Sequence, residues 1–294
     1  MKIQKLFGWE PSSYKVYTDA YHKFGGSVNM HPDVVSFFMK KKMHLNFFHY
    51  KKNNEVVAAY FTAGKGNVGF NVWRDYPLSY DEVVMPIDST SRIILPERNN
   101  RMSGLQSDLI LNSMFAFRNK RKVCIVKDEF SPKTTRKRNC ELKKLIAEGG
   151  DFFCLKDMSA GDIADIYVHL FKRRFADSVR CYDKNKIKDF ILNVPHLVAG
   201  NCLFFRGAPG AIDLVFHAQN NDFVYFDVPN GGLEPSITQF SLGSLLMWKN
   251  ILDAKELCKD LKKKMVFSIG LYEKKWDYKL MWANAIPTGK TLML

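Results

Sequence analysis

The chain has 294 residues, 46% hydrophobic and 14% aromatic, which excludes a disordered chain and allows one large domain or two ordinary ones. Its formal charge of +14, from 44 Lys and Arg against 30 Asp and Glu, points to a polyanionic partner such as nucleic acid, an anionic membrane surface or a phosphate-bearing carrier. The six cysteines show no C-x-x-C pair or metal-ligand spacing, and no apolar run approaches the ~18 residues of a membrane span, so a cytoplasmic protein without a metal is expected.

In chain order, residues 12–24 set Tyr14, Tyr17, Ala20, Tyr21 and Phe24 at helical spacing behind a Ser12 or Ser13 cap, and Gly25-Gly26 ends the helix. A second short helix follows Pro32 and carries Val34, Val35, Phe37 and Phe38. LNFFHYK and VVAAYFTA read as strands joined by a tight turn, because Asn53-Asn54 tolerate positive φ. GNVGFNVW and SRIILP are predicted to extend that sheet, residues 103–117 to form a helix, and KVCIVKDEF to return to strand. Segment 131–150 is basic at first and helical later, with Leu142, Leu145 and Ile146 on one face. The domain junction is placed here, dividing the chain into 1–130 and 131–294.

The second half repeats the cycle: a strand at DFFCLKD, a helix behind Ser159, and a helix broken by Pro195. Three strands follow at HLVAGNCLFFRG, AIDLVFHAQN and DFVYFDVPN, then a long helix, the strand MVFSIG and a terminal helix. A strand, a loop containing glycine and a long helix form a phosphate-binding arrangement, since free N–H groups and the dipole at a helix N-terminus favour an anion. The candidate cradle is Ser241, Gly243 and Ser244, although Ser241 also reads as a plain N-cap.

This order resembles the GNAT acyltransferase core, in which a splayed strand pair and such a loop-to-helix turn hold an acyl carrier. YEKKWDYKLMWA resembles the Asp-Phe-Gly-x-Gly-x-x-x-Tyr-Lys-x-x-Trp ending of FemAB-like aminoacyltransferases, here at Phe267, Gly270, Tyr278, Lys279 and Trp282. Ser268 stands where that ending has an acid, and the second glycine is absent. Over its whole length the chain resembles the macrophage-inducible antimicrobial-peptide resistance proteins of enteric bacteria, through MKIQKLFGWEPSSYKVYTDAYHKFGGSVNMHPDVVSFF and GLYEKKWDYKLMW. These resemblances imply an α/β (α+β) fold of two tandem GNAT-like halves, each a mixed, mostly antiparallel sheet flanked by helices. They also imply a role in surviving cationic host peptides and peripheral association with the inner membrane.

On this reading the donor is an acyl-CoA, such as acetyl-CoA, or an aminoacyl-tRNA, and Lys279 neutralises a carrier phosphate. Tyr278 is a candidate general acid to the leaving group. Tyr225 and Asp227 share a strand face, with Asp227 as base for an attacking amine and Glu234 as a second candidate. Asp213 and His217 share a face of the preceding strand and can polarise a nucleophile, while Trp276 or Trp282 offers a stacking or membrane-interface surface. The basic residues Lys133, Arg136, Lys137 and Arg138 suit an RNA backbone or anionic headgroups, or are simply solvated. Three functions follow: a transferase acting on an envelope component, a non-catalytic relative binding an anionic ligand or lipid, and a DNA-binding regulator. The last lacks a helix-turn-helix, so no specific DNA is expected; a homodimer stays open.

Overall fold

A computed structural model describes residues 3–64, 66–115, 120–176 and 178–292. The first half opens with α1 (Ile3–Leu6), β1 (Trp9–Ser12), α2 (Tyr14–Phe24) and α3 (Pro32–Lys40), then β2 (Leu45–Lys52), β3 (Glu55–Ala63) and β4 (Asn67–Val68). These strands form one antiparallel sheet in the order β1-β2-β3-β4. α2 starts where Ser13 accepts a hydrogen bond from the Val16 amide, and the β2–β3 turn sets Asn53 and Asn54 at φ of +50° and +65°.

After β4 the chain departs from the sequence expectation. SRIILP adds no full strand, and Ile93 makes an isolated parallel bridge to Ile110. The helix expected over 103–117 is a 3-10 turn at Gly104–Gln106 followed by the short strand β5 (Ser113–Phe115); positions 116 and 117 lie outside the described residues. Tertiary pairing is the cause. The Asn112 side chain accepts from the Leu95 amide at 2.9 Å and donates to its carbonyl at 2.8 Å, which fixes the segment in an extended form despite its helical spacing.

β6 (Lys122–Val126) ends the first half, and the second contains α4 (Pro132–Ala147), β7 (Gly150–Cys154), α5 (Ala160–Phe175), α6 (Lys184–Asn193), β8 (Val198–Ala199), β9 (Asn201–Phe205) and β10 (Ala208–Gln219). It continues with β11 (Phe223–Leu233), α7 (Leu242–Leu261), β12 (Lys264–Leu271), β13 (Ala283–Pro287) and β14 (Gly289–Thr291). The large sheet runs β13-β6-β12-β11-β10-β9-β7 with β8 beside β10, and its pairings are antiparallel apart from β11 with β12. The expected terminal helix is instead a kinked 3-10 segment, Lys274–Met281, followed by β13 and β14. Trp282 sinks into the core between Phe130 and Trp248, and β13 pairs with β6, so burial and a strand partner replace helical propagation.

Both halves repeat one plan: a strand, two helices, then a meander whose spatial order follows the chain, β1-β2-β3-β4 and β7-β9-β10-β11. The second half continues through α7 to β12. Pairing crosses between halves, because β6 precedes position 131 yet joins the large sheet, and β14 pairs with β5. One hydrophobic core spans both, from Trp9 and Phe61 to Leu170, Phe216 and Tyr225, while Trp248 and Ile251 of α7 pack on Val224 and Phe267 in a second. Among the described residues no helix is long and apolar enough to cross a membrane.

Candidate functional site at the split between β11 and β12

β11 and β12 pair side by side from Phe223 with Lys264 to Asp227 with Ser268, and the ladder stops there. Just beyond, β11 sets Val228 and Pro229 against the single residue Val215 of β10, a bulge that bends the strand. β12 turns at Gly270, whose φ is +78° and where a Cβ would lie 2.8 Å from Asp81 Oδ2. The strands part, and β11 leads into the N-terminus of α7. No side chain caps that end: the Ser241 hydroxyl donates to Ser244 Oγ at 3.0 Å rather than capping an amide. Ser241 and Gly243 thus lie at a helix end without a side-chain cap, where the Ser244 amide turns back to the Ser241 carbonyl at 2.9 Å and Leu233 Cδ2 is 3.4 Å from where a Gly243 Cβ would sit.

Beneath the parting strands the first half inserts residues 79–82. Asp81 accepts from the Leu271 amide at 3.0 Å and from Arg121 at 2.7 Å, which clips the loop to the end of β12. Tyr225 donates to Glu82 Oε1 at 2.8 Å, and both are buried. Asp227 is buried beside them, with no hydrogen-bond partner for Oδ1. Burial first, then the Asp81 and Glu82 charges, push its carboxyl well above the usual carboxylate range, against hydrogen bonds from Ser79. Burial raises Glu82 and Tyr225 too. The result is a buried cluster of two carboxyls and a phenol, all held toward their neutral forms by burial. Asp81 and Glu82 escaped the sequence reading because they sit in an irregular segment, brought here by contacts over 140 positions away, with no local pattern to mark them.

Lys279 lies at the same strand end. Its ammonium donates to the Ile269 carbonyl at 2.7 Å and the Leu271 carbonyl at 2.9 Å, so it faces the end of β12. Burial weakens its hold on the proton, while Cys124 and Asp81 oppose that shift. Trp276 is flanked by Lys275 and Lys279, whose ammonium groups stand 4.5 Å and 4.9 Å from the ring centroid. Tyr278 is half exposed.

The remaining candidates are not gathered here. Asp213 pairs in register with Gly231 on the side of the sheet covered by α7, where Asn250 donates to its Oδ2 at 3.2 Å. A Cβ on Gly231 would meet Asp213 Oδ1, so glycine makes the room for that carboxyl. Glu234 is held in a two-pronged pair by Arg173 at 2.9 Å and 2.8 Å, and that bonding pulls it down to about 2, too weakly basic to deprotonate an amine. His217 stacks on Phe226 and contacts the His196 carbonyl at 3.1 Å, well apart in partners from Asp213. His31, Asp33 and His196 bring three ligating atoms within 4.8 Å of one another, a juxtaposition that no sequence spacing displays.

Asp213 titrates in an informative range. Burial pushes it up to about 6, with Arg174 and Asn250 opposing. A folded-state value above the unfolded one means the native protein holds this proton more tightly, so stability is full at about pH 4 and falls as pH rises through about 6. Asp213→Asn is therefore expected to match wild type at about pH 4 and to exceed it by on the order of 1–2 kcal/mol at about pH 7.5, read from denaturant midpoints. A gain of equal size at both pH values would exclude titration of Asp213 as its source.

The repeated halves, the split parallel pair and the helix that follows it define a GNAT/FemAB-like fold. The chain belongs to the Mig-14 family, whose sequence profile matches residues 31–291. By structure it is similar to L-PGS from Bacillus licheniformis, with a TM-score of 0.56 and 10% identity over 97% of this chain and 93% of that one. It also aligns with a tandem GNAT protein from the clavulanic acid biosynthesis pathway, over 97% of both chains at 10% identity and a TM-score of 0.46. No curated protein matches the chain in sequence.

Proposed function

We propose that this protein is an acyl or aminoacyl transferase that modifies an envelope component at the cytoplasmic face of the inner membrane and so limits damage by cationic antimicrobial peptides. The observation that carries the reading is the split of β11 from β12 beyond Asp227 and Ser268, followed directly by the uncapped N-terminus of α7. A carrier with phosphates on the α7 amides would thread its acyl arm between the strands. The acceptor amine or hydroxyl would attack the acyl carbonyl, and the carrier's thiolate or ribose oxygen would leave with a proton. Asp213, paired with Gly231 beyond the end of the β11–β12 ladder and raised by burial to about 6, is our candidate to take the acceptor's proton, reached from the α7 side of the sheet.

Glu234 and Lys279, engaged by Arg173 and by backbone carbonyls, favour a second reading in which the fold binds its anionic ligand without turnover. Thermal unfolding with acetyl-CoA, a long-chain acyl-CoA and a charged tRNA separates the two. A ligand bound by the native state alone raises the melting temperature by RT ln(1 + [L]/Kd), about 2.7 kcal/mol at a hundredfold excess over Kd. A shift with one carrier, together with loss of its acyl group to an envelope extract that Asp213→Asn slows, supports the transferase. A shift without transfer supports the binding protein, and no shift with any carrier removes the site.

A further inference from the structure

A second concavity, of about 550 Å³, opens where β4, residues 98–101 and β14 meet, with Tyr80 of the segment beneath the split in its wall. That volume suits a small ligand. Its walls carry three cations, Arg98, Arg101 and Lys290, and four amides, Asn67, Asn71, Asn99 and Asn100, with no acidic residue among them.

Two features show that the site is built to receive oxygen atoms. Arg101 lies over the Tyr80 ring, 4.4 Å from its centroid, and donates to the Tyr80 carbonyl at 2.6 Å. Burial and the nearby Arg121 make its charge costly to hold, and the adjacent Asp81 carboxylate is engaged by Arg121 at 2.7 Å. Asp81 offsets part of that cost, and an anion in the pocket would add to its countercharge. Asn99 is 8% exposed, and its Oδ1 accepts from the Arg101 amide at 2.6 Å, which fixes the orientation of the side-chain amide. Its Nδ2 is therefore the group left without a partner; the Tyr80 hydroxyl feels that amide from outside hydrogen-bond range and donates to the Val68 carbonyl. A buried donor with no acceptor calls for a ligand atom.

We propose that this pocket binds a phosphorylated sugar or polyol, its phosphate held by Arg98, Arg101 and Lys290 and its hydroxyls by the asparagine amides. Amide groups both donate and accept, as vicinal hydroxyls do, whereas three cations without an acid match a phosphate group. The ligand is either free or the headgroup of a larger lipid, and the site does not depend on the transferase reading.

The test is calorimetric titration of the full chain with glucose 6-phosphate, glycerol 3-phosphate, inorganic phosphate and glucose. Alongside it, flotation is measured on phosphatidylcholine vesicles with and without phosphatidylglycerol. The two organic phosphates are expected to bind more tightly than inorganic phosphate, and glucose not at all. Arg98→Glu and Lys290→Glu should each weaken binding about tenfold or more, while Lys133→Glu, the same charge change on α4, leaves it intact. Asn99→Asp keeps the acceptor for the Arg101 amide but removes the donor, and is expected to weaken binding as well. Binding seen only on phosphatidylglycerol vesicles, and lost in the Arg98 and Lys290 variants, supports the site with a lipid-borne ligand. No binding to any phosphate compound or vesicle, or an equal loss with Lys133→Glu, overturns the proposal.

Discussion

Lys279→Met is expected to lower the stability of the protein by about 2–3 kcal/mol, seen as an earlier urea midpoint at unchanged slope. The ammonium bridges the Ile269 and Leu271 carbonyls where β12 turns at Gly270 and the register between β12 and β6 shifts. Bonds from a charged donor are worth about 1.5–3 kcal/mol each, and relief of the amine's own burial offsets part of their loss. Lys279→Glu should cost more, because it sets a carboxylate against two carbonyl oxygens close to Asp81. Loss of carrier binding in that variant would then report a damaged strand end rather than a missing phosphate contact. Wild-type stability in Lys279→Met would show that the strand end holds without the ammonium.

Gly243→Asp is expected to move stability and carrier affinity in opposite directions. Gly243 lies in the first turn of α7, without positive φ, and an added Cβ meets nothing closer than Leu233 at 3.4 Å. Replacing a helical glycine gains up to about 0.5 kcal/mol, and a carboxylate in the first turn adds about 0.3–1 kcal/mol. The same charge occupies the place proposed for the carrier phosphate, so affinity should fall by at least about tenfold. A more stable protein that binds the carrier as well as wild type would move the phosphate site away from α7.

Legibility followed the range of the interactions. The helices α2, α5 and α7 and the β2–β3 hairpin declare themselves locally, through a capping serine, apolar spacing or a pair of asparagines. The stretch from Phe70 to Asn112 does not, because its backbone is held by distant side chains. Asn29 bonds Phe70 and Ser79, Gln106 bonds Met85 at both ends, and Asn112 bonds Leu95. A polar residue that organises a loop from forty positions away looks in sequence like any other asparagine. The site divides the same way. Alternation along a strand puts Tyr225 and Asp227 on one face, but their acidic neighbours Asp81 and Glu82 come from that irregular stretch. The motif at the C-terminus located Lys279 and Trp282, while the folded chain turns the first toward its own backbone and the second into the core.

The pairing of β14 with β5 sets an order on biosynthesis. Thr291 donates through its hydroxyl to the Glu97 carbonyl and accepts from the Asn99 amide, and Asn112 donates to the Leu292 carbonyl, links of 180 to 194 positions. A nascent chain halted before residue 288 has its first sheet complete, yet the loops over that sheet lack the backbone that closes them. The early half must wait on the ribosome until synthesis has passed residue 292, exposing apolar surface to chaperones meanwhile.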